Sequence, residues 1–108
     1  MAKAIEIIHE RYRHRLSLRD MADELYVSES YLARKFKECI DMTYLDFITK
    51  YRLNKAVRLM LEGGRRIGEV SDLAGFTQYK RFSVVFKRYI GMTPTEYLKK
   101  QGFGNEEP

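Results

Sequence analysis

Four cationic side chains stand close together near the end of the chain, at Lys80, Arg81, Lys87 and Arg88. No Asp or Glu occurs from Leu73 to Thr95. The second pair follows the first by about two helical turns, so a helix would place all four on one side. Lysine and arginine without a neighbouring carboxylate leave nothing to repel phosphates. We therefore expect this segment to be an ordered helix that binds an anionic partner.

The sequence offers no set of residues for catalysis or metal binding. The two histidines, His9 and His14, have no Cys or carboxylate cluster at ligand spacing, so we expect surface or packing roles for them. Cys39, the only cysteine, lies beside an apolar stripe and has no histidine placed to activate it, which predicts a core or boundary position. Gly63-Gly64 marks a helix end, since no GxxxxGK[ST] phosphate loop follows. We expect no enzyme activity, cofactor or metal.

Composition narrows the class of protein further. The chain has 108 residues, 44% hydrophobic and 32% charged, which suits one modest domain or two small subdomains. A net charge of +5 favours nucleic acid or another anionic surface without requiring either. No apolar run approaches the roughly 18 residues that a membrane span needs. We expect a soluble, cytoplasmic protein with no membrane contact.

The elements that position the cationic residues are all helical. Apolar residues recur at helical spacing, and no segment shows sustained strand alternation. Caps at Ser17, Ser28, Thr43 and Thr93 and stops at glycines delimit the helices. The predicted fold is all-α, with seven helices near 2–14, 17–25, 28–40, 43–62, 67–74, 78–90 and 94–101. In the long helix we expect core positions at Tyr44, Phe47, Ile48, Tyr51, Met60 and Leu61.

The chain also repeats itself. "FKECIDMTYLDFI" and "FKRYIGMTPTEYL" align without gaps at an offset of 50, whereas "LRDMADELYVS" and "IGEVSDLAGFT" align at an offset of 49. One residue has therefore been added at the start of the "TQYKRF" helix. Two copies of a short helix, a tight turn and a longer helix are joined by helix 43–62.

Each copy is predicted to be a helix-turn-helix. Ala22 and Ser71 supply the small residue of the first helix. The turn favours a residue that tolerates positive φ, which Gly75 does and Tyr26, at the matching place, does less well. Ser28 and Thr77 are expected to cap the second helices. The inward stripes of those helices are expected to be Leu32, Phe36 and Ile40 in one copy, and Phe82, Phe86 and Ile90 in the other.

The outward faces of the second helices are the candidate binding surfaces. The first face consists of Ser30, Ala33, Arg34 and Lys37; the second consists of Lys80, Ser83, Val84 and Lys87, flanked by Tyr79 and Arg81. An α-helix fits the major groove of B-DNA, and small residues allow close approach. A charged helix face is often merely solvated, but two copies in register favour a binding role.

The segment "EVSDLAGFTQYKRFSVVFKRYIGMTPTEYLKK" closely resembles the signature of the AraC/XylS family of bacterial transcription regulators. "LSLRDMADELYVSESYLARKFKE" resembles that family's first helix-turn-helix and "YLDFITKYRLNKAVRLML" its connecting helix, so about residues 3–100 are covered. The resemblance implies a homeodomain-like DNA-binding domain whose base-facing positions include Ser30, Ala33, Arg34, Tyr79, Lys80 and Val84. Val84 stands where many relatives carry a polar residue or arginine, and Asp41 where they usually have a helix-ending glycine.

These observations together predict sequence-specific binding to double-stranded DNA for transcription regulation. The alternative is a helical protein-interaction module whose basic faces meet an acidic protein. The expected subdomains are 1–42, a connecting helix 43–62, 63–101 and a tail 102–108. Base-facing roles fall to Ser30, Ala33, Arg34, Tyr79, Lys80, Ser83 and Val84, and phosphate-facing roles to Lys37, Arg81, Lys87 and Arg88. We expect a monomeric fragment of a longer regulator on an asymmetric promoter site, with RNA polymerase as a second candidate partner.

Overall fold

The computed structural model describes residues 1–102, so most of the predicted tail 102–108 lies outside the described residues. Those 102 residues form seven α-helices and no strand. The helices are α1 (Ala2–Arg11), α2 (Leu18–Glu24), α3 (Glu29–Ile40), α4 (Tyr44–Glu62), α5 (Ile67–Leu73), α6 (Tyr79–Ile90) and α7 (Pro94–Lys100). The all-α prediction is confirmed. The largest error in a boundary is at the end of α1, predicted at residue 14 and observed at Arg11.

Reciprocal capping boxes begin α2 and α7. The Asp20 backbone N–H donates to the Ser17 hydroxyl at 3.0 Å, and the Glu96 N–H donates to Thr93 at 3.1 Å. In return, each cap residue's N–H donates to the carboxylate. The Ser17 hydroxyl above all lowers the pKa of Asp20, and the Thr93 backbone N–H lowers that of Glu96. Each box therefore stabilises the fold above the ordinary carboxyl pKa and loses that effect as pH falls through the lowered native value.

Residues with a positive φ follow α3, α4 and α6, and they also lie in the turns after α2 and α5. Gly63 and Gly91, with φ of 79° and 95°, follow α4 and α6. Asp41 ends α3 in the left-handed conformation, at φ 65° and ψ 31°. The turn after α2 contains Tyr26 at φ 59°, where the turn after α5 has Gly75 at φ 99°. Tyrosine thus adopts the conformation that glycine supplies in the other copy.

The chain divides into two compact units, Met1–Tyr51 and a second that begins at Arg52, and α4 begins in one and ends in the other. Each unit has its own hydrophobic core. In the first it consists of Ala4, Ile7, Ile8, Leu16, Met21, Ala22, Leu32, Phe36, Tyr44 and Ile48. In the second it consists of Leu53, Ala56, Met60, Ile67, Val70, Ala74, Phe76, Phe82, Val85, Phe86 and Leu98.

The sequence repeat is also a repeat of packing. In the first unit the ring centroids of Phe36 and Phe47 lie 5.8 Å apart. In the second unit the residues 50 positions later, Phe86 and Tyr97, lie 5.7 Å apart. Phe36 and Phe86 have no solvent exposure. The buried side of α3 therefore meets α4 in the same way as the buried side of α6 meets α7.

Most of the expected core positions are confirmed, and two are wrong. Cys39 is exposed rather than in the core, because the last turn of α3 turns its Phe36 and Ile40 side inward and leaves residue 39 on the open flank. Leu61 is 42% exposed, because α4 buries Met60 in its last turn and residue 61 lies to one side of that stripe. Phe47 and Tyr51 are partly buried against the first core. None of the helices in residues 1–102 is long and apolar enough to span a membrane.

Candidate nucleic-acid interface

The turn between the two helices is built in the same way in both units. Ala22 and Ser71, the predicted small residues, are 1% and 0% exposed. The Val27 N–H donates to the Ala22 carbonyl at 3.0 Å, and the Phe76 N–H donates to the Ser71 carbonyl at 3.0 Å. A bulkier side chain at either position would clash with its surroundings, since both are enclosed. In each unit, an enclosed small residue and a turn hydrogen bond therefore fix the first helix to the turn that leads into the second.

The extra residue of the second copy is Thr77. The hydrogen bonds that close the two turns, at Val27 and at Phe76, are 49 residues apart. The first backbone hydrogen bonds of the helices that follow, from the Leu32 N–H to Ser28 and from the Phe82 N–H to Gln78, are 50 residues apart. The expected cap at Thr77 is therefore wrong: Gln78 is the N-cap of α6, without a side-chain cap bond. Ser28 does cap α3, since its hydroxyl accepts from the Tyr31 N–H at 3.0 Å.

The predicted residues of the first face lie together on the exposed side of α3, opposite the buried stripe. Ser30, Ala33, Arg34 and Lys37 are all exposed. The Arg34 guanidinium lies 5.4 Å from the centre of the Tyr31 ring, and its Nε lies 3.8 Å from a Glu38 carboxylate oxygen. Exposed ion pairs of this kind are weak, so the guanidinium can leave Glu38 and bind a partner instead.

The sequence reasoning missed the neighbours that surround Arg34. Tyr31 and Glu38 also contact Lys35, whose Nζ lies 3.7 Å from Glu38 and 5.6 Å from the Tyr31 ring centre. Their spacing of three and four residues along one helix was the available signal. On the first face, Arg34 and its neighbour Lys35 therefore share contacts with one carboxylate and one aromatic ring.

The second face lies on α6 and is more uniformly cationic. Tyr79, Lys80, Arg81, Val84, Lys87 and Arg88 are exposed, and Ser83 is half-buried. Among residues 1–102, none of its four cations forms an ion pair. The Thr93 hydrogen bonds have the largest effect in lowering the pKa of the Glu96 carboxyl, and the positive charge of Lys87 lowers it further. The structure thus brings together the residues predicted for this face.

His9 takes part in the packing of the first unit. His9 Nδ1 lies 2.6 Å from the Tyr51 hydroxyl, a hydrogen bond between α1 and α4 within the first unit. Burial raises the pKa of Tyr51, and the neighbouring Tyr12 adds to this effect. In the part of the chain that the structure describes, no group of three or more metal-binding side chains occurs. The candidate site consists of the exposed faces of α3 and α6.

The fold and the two exposed faces define a DNA-binding domain with two helix-turn-helix units. A family model described as a helix-turn-helix domain matches residues 21–100. The chain belongs to the AraC-type helix-turn-helix family of transcription-regulator DNA-binding domains. The family prediction is thus confirmed.

The relatives are bacterial transcription regulators. The chain is 33% identical over 96 residues to the transcriptional regulatory protein HptR of Staphylococcus aureus; the match covers 89% of this chain and 38% of HptR. The DNA-binding transcriptional dual regulator of Escherichia coli K-12 matches with 31% identity and a TM-score of 0.80, covering 92% and 94% of the two chains. The C-terminal domain of AraT, a response regulator from Geobacillus stearothermophilus, matches with 29% identity, a TM-score of 0.89 and coverage of 92% and 83%.

These similarities confirm the predicted function at the level of the family. The chain is a sequence-specific DNA-binding domain for transcription regulation. It spans about two-fifths of the length of the relatives that it matches by sequence, 38% in the case of HptR.

Proposed function

We propose that this chain recognises an asymmetric promoter site on double-stranded DNA with two different recognition helices. The observation that supports the proposal most directly is the repeat of the exposed face. α3 and α6 each present small or apolar residues on an exposed face, with cations beside them at helical spacing, on units whose buried contacts match. Such a face fits the major groove, where small residues permit approach and cations meet phosphates.

The roles of the individual residues follow from their position on each helix. Residues in the N-terminal half of a recognition helix face the base edges. We assign this role to Ser30, Ala33, Arg34, Tyr79, Lys80, Ser83 and Val84. Arg34 is the principal reader of the first face, because a guanidinium forks to both acceptors of guanine. The phosphate contacts are assigned to Lys37, Arg81, Lys87 and Arg88.

The domain binds DNA as a monomer, through the exposed faces of both α3 and α6. α3 and α6 belong to separate units of one chain, so a single chain offers two recognition helices. The two faces differ in sequence, so the site is not palindromic. It covers roughly 15–20 base pairs in two adjacent major-groove segments.

We further infer that the chain belongs to a larger regulator. The domain is one part of a longer cytoplasmic protein, since its relatives are more than twice its length. It performs no catalysis itself, and RNA polymerase is the partner through which a bound activator would act.

Selection of bound sequences from a random duplex pool, followed by footprinting, tests the two-headed monomer. We expect Arg34→Ala to disturb protection at one end of the site and Lys80→Ala at the other. A footprint confined to one groove segment, or an obligatory dimer on a palindrome, would contradict the proposal. Equal affinity for all duplexes, with tight binding to an acidic protein, would favour the protein-interaction alternative.

The phosphate assignments are tested by salt dependence. Replacing Lys37, Arg81, Lys87 or Arg88 with Ala should weaken binding to every duplex and reduce the slope of log affinity against log salt by about one. Lys3→Ala, which removes an exposed cation from α1, is the matched control and should leave the slope unchanged. A loss of affinity at constant slope would assign the residue to a different role.

A further inference from the structure

Val84 lies at the centre of a ring of positive charge. Lys80 and Arg81 precede it by four and three residues, and Lys87 and Arg88 follow it by three and four. These are the spacings at which side chains become neighbours on a helix surface. All four cations are exposed, and Val84 itself is 56% exposed. An apolar side chain therefore occupies the middle of a surface that has four cations and, along α6, no carboxylate.

Val84 is not part of the core of the second unit. The unit's core is formed by the opposite side of α6, through Phe82, Val85 and Phe86. Valine is also a weaker helix former than the lysine or arginine residues around it. The repeat counterpart in the first unit is Arg34, a polar side chain. The valine is thus explained by a partner rather than by the fold.

The partner must offer an apolar group within an anionic surrounding. The major groove of DNA does so at one kind of position. The C5-methyl of thymine is the apolar group on the base edges there, and phosphates line both sides of the groove. Cations three and four residues from Val84 can reach those phosphates while the short valine approaches the groove floor.

We propose that Val84 reads the C5-methyl group of a pyrimidine in the site of the second unit. This inference rests on the proposed function and adds the chemical group that is recognised. Contact with a methyl group does not depend on the hydrogen-bonding pattern of the base. Val84 therefore accepts thymine and 5-methylcytosine alike, and binding responds to methylation of a cytosine at that position.

Removal or addition of a single methyl group in the DNA tests the inference. In the duplex selected by the wild-type domain, each thymine in the segment disturbed by Lys80→Ala is replaced in turn with uracil, which removes only the methyl group. We expect one position to weaken binding about fourfold, the value for one buried methyl-sized group. Cytosine at that position should bind more weakly than 5-methylcytosine by a similar factor.

Variants at position 84 assign the effect to the side chain. In Val84→Ala the ratio of thymine to uracil affinity at that position should fall toward one, whereas Val84→Ile should retain it. Leu45→Ala, which shortens an apolar side chain of α4 that is 61% exposed, is the matched control and should leave the ratio unchanged. Thermal unfolding of each variant verifies that the fold is intact.

Each other outcome overturns the inference in a different way. If uracil equals thymine everywhere in a site that is still bound specifically, methyl readout is wrong and the proposed function stands. A ratio that persists in Val84→Ala would assign the methyl contact to another residue. Absence of any preferred duplex would overturn the proposed function itself. Binding to phosphatidylglycerol vesicles that depends on Val84, without dependence on duplex, would assign the surface to a membrane.

Discussion

Position 34 in the first unit is an arginine, whereas position 84, its counterpart 50 residues later, is a valine. Around Arg34 the helix α3 has two other cations and two carboxylates, one of which lies 3.8 Å from the guanidinium. Around Val84 the helix α6 has four cations and no carboxylate. The first face is suited to one directed hydrogen-bonding contact, and the second to general attraction with a single apolar contact.

The buried sides of the same helices differ much less. Phe36 and Phe86 are both fully buried, and each contacts an aromatic ring eleven residues later at nearly the same distance. Packing restricts the inner side of a helix to residues of the right size and shape, because cores are as dense as crystals. The outer side is restricted only by its partner. Differences between the units therefore report on recognition, and identities report on the scaffold.

The largest expected effect tests the shared scaffold. Phe36→Ala and Phe86→Ala should each cost about 3–5 kcal/mol of unfolding free energy, because each leaves a cavity among aromatic rings. Urea unfolding measures both. Leu45→Ala, which truncates an apolar side chain 61% exposed on α4, is the control and should stay within about 0.5 kcal/mol. If one phenylalanine cost under 1 kcal/mol, the two cores would not be equivalent.

The contrast between the faces predicts the next effect. Arg34→Ala should weaken binding to the selected site by about 1–3 kcal/mol and relax the preference at one base pair, since the bidentate contact to guanine is lost. Arg34→Lys keeps the charge but not the fork, so it should lose most of the same preference. Affinity is measured on the selected site and on single-base variants. An equal loss on all duplexes would reassign Arg34 to phosphate contact.

A smaller effect concerns the small residues under the turns. The Ser71 hydroxyl is buried and has no hydrogen-bond partner in residues 1–102, whereas Ala22 fills the same place in the first unit. Ser71→Ala should therefore stabilise the protein by about 1 kcal/mol, because an unsatisfied hydroxyl is removed from the core. Ala22→Ser should destabilise it by a similar amount. Thermal unfolding of both variants measures the pair, and a destabilised Ser71→Ala would reveal a hydrogen bond to that hydroxyl.

Features that depend on local interactions were mostly predicted from the sequence, whereas features that depend on contacts between helices were not. Helix number, caps and buried stripes were predictable because capping and periodicity are local properties of the chain. Cys39 and Leu61 were misplaced because both lie at the flank of a stripe, where only the neighbouring helices decide exposure. Thr77 was misplaced because the added residue could be put on either side of the cap. The faces were predictable as surfaces, but the contacts of Arg34 with Tyr31 and Glu38 depend on side-chain conformations.

The smallest predicted effect compares the ends of the two recognition helices. Asp41 ends α3 at φ 65°, and Gly91 ends α6 at φ 95°. Each N–H donates to the carbonyl four residues earlier, at Lys37 and Lys87. An L-residue in the left-handed region costs about 1–2 kcal/mol, less for Asp, while Gly costs about 0.5–1 kcal/mol of backbone entropy. Asp41→Gly should therefore be neutral or stabilising, within about 1 kcal/mol.

The reverse change in the second unit should not be neutral. Gly91 has φ 95° and ψ −2°, outside the left-handed region that L-residues tolerate. A Cβ at this position would meet no atom within 4 Å, so the penalty of Gly91→Asp is backbone strain alone, about 1–2 kcal/mol. Urea unfolding of both variants compares the two helix ends directly. A loss of more than 1 kcal/mol in Asp41→Gly would show that the Asp41 carboxylate makes a specific bond, and the two ends would then differ in chemistry as well as in backbone angle.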